Sequence, residues 1–421
     1  MRVDADDFAR PCSCGREHHI DVKEIVIESG AIGKLEEEMS DGDLREYISP
    51  LLICDTNSYK ATEELMEDIY DRCQVLILDA EDLEADERAV EIVENYMEED
   101  IDLVLAVGAG TIHDLSRFVA HQYRIPFVSV PTAASSDGFT STVADMTWNG
   151  VKKAVAASAP LFVFADTDIF AKAPKRLTAA GVSDILGKYI ALADWKIASI
   201  LSKEYYCAEV VNLETKAVRT VKDNLKEIAA GEEEACEKLM YALVLSGLAM
   251  QMTGNSRPAS GAEHHLVHLW DMEVVNGHLD ALHGEKVSGG TMLVLLEYKK
   301  IADAIRKGNC KVHTCTEEDR ELLQSTFGKK GILGAIEKEN TPELLDDVST
   351  KELSDTLPGI LKIIDALPAV TDMQEMMNTA GCVSRVRDIG LPGEVIEESL
   401  LLAPYTRRRL SLLRLRKMLT Y

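Results

Sequence analysis

The chain has 421 residues, enough for two domains, and 46% of them are hydrophobic. Its formal net charge of −27 disfavours nucleic-acid binding, because such a surface repels a phosphate backbone. The nine cysteines show no framework spacing, and the first segment, MRVDADDFAR, lacks the apolar core of a signal peptide. The chain also has no apolar run of membrane length. These features predict a cytoplasmic protein with no membrane partner.

Short strand-like runs alternate with amphipathic stretches up to about residue 170. This alternation predicts an α/β domain with a mainly parallel sheet, and the near-continuous apolar runs indicate that both sheet faces are covered. The predicted strands are Glu24–Ile27, Leu51–Cys54, Gln74–Leu78, Leu103–Val107, Phe127–Val130 and Leu161–Ala165. The predicted helices of this part are Lys60–Cys73, Asp86–Met97 and Thr111–Tyr123.

After Pro174 the strand-like runs give way to stretches with a 3.6-residue period. We therefore predict an α/β domain over residues 1–173 and an all-helical domain over residues 174–421. The predicted helices are Val182–Leu201, Glu234–Met252, Ala262–Met272, Gly284–Tyr298 and a tail from Pro392 onward. The basic tail TRRRLSLLRLRKML could suggest anionic lipid or RNA, but its Leu spacing favours a packed terminal helix with a solvated Arg face.

A glycine turn follows the predicted strand at Leu103–Val107. Gly108-Ala-Gly110-Thr111 leads from this strand into a helical pattern, so free N–H groups and a partial positive charge could meet a diphosphate there. The third glycine of the usual dinucleotide fingerprint is missing. A tight strand-to-helix turn without a ligand is the alternative.

Two further polar segments follow predicted strands. Asp55 could accept hydrogen bonds from ribose hydroxyls or could simply cap the next helix. The loop Val130–Ser141, rich in small hydroxyl residues, could surround a nicotinamide ribose and offer Asp137 to substrate hydroxyls. It could equally be a polar surface loop.

Several histidines and one aspartate lie at predicted helix starts. Ser260 and Glu263 form a capping-box pattern that begins a helix. His264 and His268 are four residues apart and therefore lie on one face of that helix. His265 points elsewhere, and because it replaces the glutamate of HExxH, a zincin motif is excluded.

His283 begins another predicted helix, and Asp184 lies in a Gly-Val-Ser-Asp segment that we expect to open a helix. One aspartate and two histidines from separate helix starts could bind a divalent metal with open coordination positions. Core or capping roles are the alternative for each of them taken singly.

The segment Cys12-Ser-Cys14-Gly-Arg-Glu-His18-His19 hints at zinc. Its spacing is not CxxC, and no second pair follows it; the Cys310, His313 and Cys315 group is distant in sequence. We leave this segment unassigned.

The motifs GAGTIHD, PTAASSDGFTS, GVSDILGK, RPASGAEHH and HGEKV occur in this order, and the similarity that they carry covers nearly the whole chain. The order resembles the glycerol-1-phosphate dehydrogenase family, within the iron-containing alcohol dehydrogenase and dehydroquinate synthase superfamily. The resemblance implies a nucleotide-binding α/β domain followed by a helical domain.

The resemblance also implies roles for individual residues. Asp184, His264 and His283 would bind the metal; Gly110, Thr111, Ile112, His113, Asp114, Thr132, Ala133, Ala134 and Ser135 would contact NAD; Asp55 would contact its adenosine ribose and Ser141 its nicotinamide side; and Asp137, Asp184 and His268 would bind substrate.

The implied reaction reduces dihydroxyacetone phosphate to sn-glycerol 1-phosphate with NADH, or alternatively with NADPH. The implied metal is zinc or nickel, and the implied assembly is a homodimer. His268 is the expected proton relay because an unperturbed imidazole titrates near neutrality. Arg257, Lys152 or Lys153 could hold the substrate phosphate, and Asp55 should favour NAD by repelling the 2′-phosphate of NADP.

Three other functions are open alternatives. A glycerol or polyol dehydrogenase would lack the phosphate pocket. A dehydroquinate-synthase-like lyase would need more Lys and Arg near these motifs. A non-catalytic scaffold would have no need of buried polar ligands, which cost stability unless they are satisfied.

Overall fold

The computed structural model describes residues 2–4, 8, 11–315 and 320–421. These residues belong to two compact units. Unit 1 comprises Met1–Trp148, Lys153–Ile185 and Asn212–Ser256, and unit 2 comprises Asn149–Lys152, Leu186–Val211 and Arg257–Tyr421. The division differs from a single cut after residue 173, since helices from the later part of the chain belong to unit 1.

Unit 1 is built on a seven-stranded sheet with the order β1-β2-β9-β6-β5-β3-β4. All neighbouring strands are parallel except the edge pair β1–β2, and β7 with β8 forms a separate two-stranded sheet. The six predicted strands are confirmed, with small shifts at their ends. The strands are β1 (Arg2–Asp4), β2 (Glu24–Glu28), β3 (Pro50–Asp55), β4 (Gln74–Leu78), β5 (Leu103–Gly108), β6 (Phe127–Pro131), β7 (Val143–Trp148), β8 (Val151–Ala156), β9 (Phe162–Asp166), β10 (Lys311–Val312) and β11 (Leu419–Thr420).

The helices occupy much of the rest of the described chain. They are α1 (Ala31–Ser40), α2 (Thr56–Thr62), α3 (Glu67–Tyr70), α4 (Glu87–Glu94), α5 (Gly110–Tyr123), α6 (Thr167–Phe170), α7 (Lys175–Leu201), α8 (Ala208–Lys222), α9 (Leu225–Ala230), α10 (Glu233–Thr253), α11 (Ala262–Asp271), α12 (His283–Arg306), α13 (Arg320–Thr326), α14 (Leu333–Glu339), α15 (Thr350–Asp365), α16 (Val370–Thr379), α17 (Ile396–Leu402) and α18 (Leu412–Leu415). The predicted helix Lys60–Cys73 is wrong in its extent, because the chain turns between α2 and α3.

Both faces of the large sheet are covered, as the apolar strands predict. Alternate residues of β3, such as Leu51 and Ile53, pack with α4 and α5, while Leu52 and Cys54 pack with α1 and α3 on the other face. Burial on both faces holds β5 and β6 in place, so their carboxyl ends present the glycine turn and the hydroxyl-rich loop at one edge of the sheet.

Unit 2 is mainly helical. Helix α12 packs against α11, α15 and α16, and a small antiparallel pair, β10–β11, departs from the all-helical prediction. The predicted terminal helix is also wrong: α18 has four residues, and Arg414 is 1% exposed rather than solvated. None of the described helices is both long and apolar enough to cross a membrane.

Candidate active site

The turn between β5 and α5 requires glycine at two positions. A Cβ on Gly108 would lie 2.7 Å from the Ile112 side chain, and one on Gly110 would lie 2.9 Å from Ser136 Oγ. Close approach of the backbone therefore shapes the turn. The 14-residue helix α5 begins at Gly110, so its first N–H groups are directed at this edge of the sheet.

The predicted cofactor residues on α5 differ in accessibility. Thr111 and Asp114 are partly exposed, whereas Ile112 and His113 are buried. His113 Nδ1–H donates to the carbonyl of Ala109 over 2.9 Å, and its Nε2 accepts from the Ser129 hydroxyl, with 2.8 Å between these atoms. Burial lowers the pKa of His113 to about 3. Cofactor contacts by the Ile112 and His113 side chains are therefore not supported, and only their backbones remain for that role.

The loop after β6 lies against the glycine turn. Thr132 N–H donates to Gly108 O over 3.0 Å, and the side chains of Ala133, Ala134 and Ser135 are buried. Sequence reasoning missed Ser136, although it lies within the quoted motif. Its buried hydroxyl has no hydrogen-bond partner among the described residues, so Ser136 is a further candidate for a cofactor contact.

Ser141 and Asp55 both have structural roles. The Ser141 hydroxyl is buried and accepts from Val143 N–H over 2.9 Å, which does not support a direct nicotinamide contact. Asp55 Oδ1 accepts from the N–H groups of Asn57 and Ser58, each over 2.8 Å, so it caps α2. The capping alternative is thus present, and capping through one oxygen leaves a ribose contact through the other compatible with the structure.

Asp184 and Asp137 are coupled within unit 1. Asp137 N–H donates to Asp184 Oδ2 over 3.0 Å, and Ser246 Oγ lies 2.8 Å from Asp137 Oδ2. The expectation that Asp184 stands near a helix start is wrong, because α7 begins nine residues earlier, at Lys175. The bond fixes one carboxylate oxygen of Asp184, and Asp184 itself is fully buried.

The start of α11 differs from the predicted capping box. The residue before the helix is Gly261, not Ser260. Glu263 is fully buried, and its Oε1 accepts from Gly261 N–H and from His264 Nδ1–H, each over 2.8 Å. Because Nδ1 is occupied in this way, Nε2 of His264 is the ring nitrogen left to bind a metal.

His264 and His283 come together within unit 2. Their ring centroids are 5.3 Å apart, and His283 is the first residue of α12. The close packing of α11 and α12 depends on Gly290, where a Cβ would lie 2.7 Å from Glu263 O. Helix packing, rather than sequence proximity, therefore makes this pair of imidazoles.

His268, on the same helix, is 3% exposed. Arg407 Nε–H donates to its Nδ1 over 3.0 Å, so the neutral ring carries its proton on Nε2. Burial, followed by the positive charge of Arg407, lowers the pKa of His268 well below its usual value. The near-neutral pKa on which the proton-relay prediction rested is therefore absent, and His268 is placed to donate a hydrogen bond.

The three predicted phosphate ligands have different surroundings. Arg257 is 3% exposed; it forms an ion pair with Glu204 at 2.9 Å and donates to Leu410 O over 2.7 Å, so its guanidinium joins segments of unit 2. Lys153 is exposed. The positive charge of Lys152 is one of the smaller causes of the lowered pKa of His268.

Comparisons with known proteins identify the fold and the family of the chain. Residues 26–174 match the family model described as iron-containing alcohol dehydrogenase. The solved iron-containing alcohol dehydrogenase from Corynebacterium glutamicum superposes with a TM-score of 0.63, covering 95% of each chain at 15% identity. At that identity the likeness supports the fold alone.

Curated sequences give a closer match. The chain is 33% identical over 402 residues to glycerol-1-phosphate dehydrogenase [NAD(P)+] from Geobacillus stearothermophilus, covering 93% of this chain and 92% of the relative. It is 33% identical over 418 residues to the enzyme of the same name from Halalkalibacterium halodurans, covering 97% and 96%. The chain therefore belongs to the glycerol-1-phosphate dehydrogenase family.

Proposed function

We propose that this protein is a metal-dependent dehydrogenase that uses NAD(P)H to reduce dihydroxyacetone phosphate to sn-glycerol 1-phosphate. The main structural support is that Asp184, His264 and His283 each offer one ligand atom, and these atoms all lie within 4.8 Å of one another. One carboxylate and two imidazoles suit a divalent cation such as zinc or nickel, and three protein ligands leave coordination positions for substrate.

The chain's own groups prepare these ligands. Asp137 N–H orients the Asp184 carboxylate, and Glu263 orients the His264 ring. A divalent cation, when bound, would polarise the substrate carbonyl and stabilise the alkoxide that forms. His268 would donate its Nε2–H to a substrate oxygen, and the Asp137 carboxylate would orient a substrate hydroxyl.

Arg407 and Lys152 are better phosphate candidates than Arg257. Arg407 donates to His268, the proposed substrate contact, and the charge of Lys152 acts on the same ring. The Arg257 guanidinium, in contrast, already bonds Glu204 and two backbone carbonyls. A local pair of cations is needed here, because the net charge of −27 opposes an anionic substrate at longer range.

For the cofactor, the proposed diphosphate site is the N-terminus of α5, where Gly108 and Gly110 leave room for close approach. Ser136 is a further proposed contact. NAD(P)H would supply the hydride, and the loop after β6 would position the nicotinamide. Asp55 would repel the 2′-phosphate of NADP, so we expect a preference for NADH; equal kcat/KM values for NADH and NADPH would contradict this role.

The test of the phosphate site is Arg407→Ala. We expect kcat/KM for dihydroxyacetone phosphate to fall by about 10- to 100-fold, because a charge-assisted hydrogen bond to phosphate is lost. With unphosphorylated dihydroxyacetone the loss should be clearly smaller, because only the orienting bond to His268 is removed. Steady-state NADH oxidation measures both, and Arg408→Ala, an exposed neighbour, is the matched control.

Equal losses with both substrates would mean that Arg407 acts only through His268, and the phosphate role would be abandoned. The stereochemistry of the product tests the reaction itself. Formation of sn-glycerol 3-phosphate instead of the sn-1 isomer would contradict the proposed function.

The family resemblance also leads us to propose a cytoplasmic homodimer acting on a small phosphorylated three-carbon substrate. None of the nine cysteines, all of which the structure describes, forms a disulfide, which is consistent with a reducing compartment. Light scattering coupled to size-exclusion chromatography tests the assembly, and a monomer at assay concentration would contradict it.

A further inference from the structure

The N-terminal segment that the catalytic proposal leaves unused forms a tight turn. Gly15 N–H donates to Cys12 O over 3.1 Å, and Gly15 has a φ of +81°, a conformation that favours glycine. An isolated β-bridge between Pro11 and Glu17 closes the segment. The turn therefore holds two cysteines close to the following histidine.

The ring of His18 is buried and has a fixed tautomer. It is 2% exposed, and its Nδ1–H donates to Met252 O at the end of α10 over 2.6 Å. Nε2 therefore carries the lone pair, and Cys14 Sγ lies 3.5 Å from it. A backbone carbonyl that fixes the tautomer of a ligating histidine is the usual companion of a metal site.

A third sulfur comes from Cys207, which is fully buried and directly precedes α8. The ligand atoms of Cys12, Cys14, His18 and Cys207 all lie within 4.8 Å of one another. Metal–ligand distances of about 2.0–2.3 Å place the donors of a tetrahedral site roughly 3.3–3.8 Å apart. The cluster is thus already close to the size that such a site needs.

We propose that these four residues form a second, structural metal site that binds zinc. Three thiolates and one imidazole are soft ligands that select zinc over calcium or magnesium, and four protein ligands leave no open position for a substrate. The site shares no residue with Asp184, His264 and His283, so it stands independently of the proposed catalytic function. Its role would be to hold the N-terminal segment, which His18 already connects to the end of α10, in a fixed conformation.

The test is metal analysis of the full-length protein together with Cys14→Ser, using Cys310→Ser as the control because Cys310 is also partly buried but outside the cluster. Zinc-saturated wild type and Cys310→Ser should each hold about two metal ions per chain, and Cys14→Ser about one. Equal metal content in all three proteins would overturn the proposal, and so would a disulfide among Cys12, Cys14 and Cys207 in freshly purified protein.

Cobalt substitution of His264→Ala gives a readout that does not depend on Cys14→Ser folding. That variant lacks a ligand of the catalytic site, so the thiolate-to-cobalt charge-transfer absorption of a tetrahedral sulfur-rich site should persist. Its absence would overturn the second site while leaving the dehydrogenase proposal intact.

Discussion

Glu263 is a single buried carboxylate whose position controls a neighbouring histidine. One of its oxygens accepts from both Gly261 N–H and His264 Nδ1–H. The side chain therefore fixes the tautomer and the orientation of His264 together. Partners of this kind typically affect metal affinity although they do not touch the metal.

Glu263→Ala should lower the affinity for the catalytic metal by about 10- to 100-fold, because the His264 ring loses its orienting bond. Glu263→Gln retains an accepting oxygen and should recover most of the loss. Competition with a metal-binding dye measures the affinity. Glu273→Gln serves as the control, because Glu273 pairs with His278 and Lys330 rather than with a proposed metal ligand. Unchanged affinity in Glu263→Ala would contradict the positioning role.

His113 predicts a pH dependence of stability. Burial disfavours the imidazolium, so the pKa of His113 in the folded protein, about 3, is well below the usual imidazole value of about 6.5. The neutral His113 ring therefore stabilises the fold fully above pH 6.5. This stabilisation is lost as the pH falls from 6.5 towards 3, because over that range the unfolded chain binds a proton and the folded chain does not. At pH 5 this cost is about 2 kcal/mol relative to pH 7.

His113→Gln removes this titration, so its free energy of unfolding should fall less than that of wild type between pH 7 and pH 5. Denaturant unfolding at each pH gives the difference. His121→Gln, on an exposed position of the same helix, should behave like wild type. If the free energy of unfolding fell by the same amount between pH 7 and pH 5 in wild type and in His113→Gln, the buried ring would not remain neutral.

At the scale of elements, glycines set how closely helices approach the catalytic loops. A Cβ on Gly181 of α7 would lie 2.0 Å from Ala134 O, in the loop after β6. On α10, a Cβ on Gly247 would lie 2.1 Å from Thr140 Oγ1. The first close approach is between the helix that carries Asp184 and the loop that carries Asp137. The second is between α10 and the same loop.

Gly181→Ala should lower stability by about 1–3 kcal/mol and raise KM for NADH, because the backbone oxygen of Ala134 must move. Thermal or denaturant unfolding and steady-state kinetics report the two effects. Gly359→Ala in α15 is the control, since its Cβ would meet nothing closer than 4.0 Å. Alanine there should stabilise the helix by about 0.5–1 kcal/mol. If Gly181→Ala and Gly359→Ala changed stability and KM for NADH equally, a clash with Ala134 O would be ruled out as the cause.

At the scale of the whole molecule, metal binding should add to the free energy of unfolding, because the unfolded chain does not hold the three ligands together. Zinc or nickel at about 100 times its Kd stabilises by about 2.7 kcal/mol per site. Chelator-treated protein should lose this stabilisation and its activity, and both should return when metal is added.

His264→Ala should gain less stability from added metal than wild type and should remain inactive, while His278→Ala, at an exposed histidine, should match wild type. Unfolding with and without metal makes the comparison. Full metal-dependent stabilisation of an active His264→Ala protein would remove the proposed ligand set.

Local patterns in the sequence were enough to predict the α/β character and six strands of the large sheet, because apolar runs and the glycine turn are local signals. It did not lead us to the β7–β8 hairpin, although Asn149 and Gly150, both with positive φ, are a strong turn signal. The basic tail was misjudged because leucine spacing alone cannot show that Arg414 is buried against Asn340.

Tertiary structure decided the roles of individual side chains. Contacts between residues that are distant in the chain decide three features of the sites. They bring His264 close to His283, lower the pKa of His268, and bring Cys207 close to Cys14. Local patterns identify which residues have suitable chemistry. Packing of distant helices sets their distances, their burial and therefore their protonation, and no local pattern contains that information.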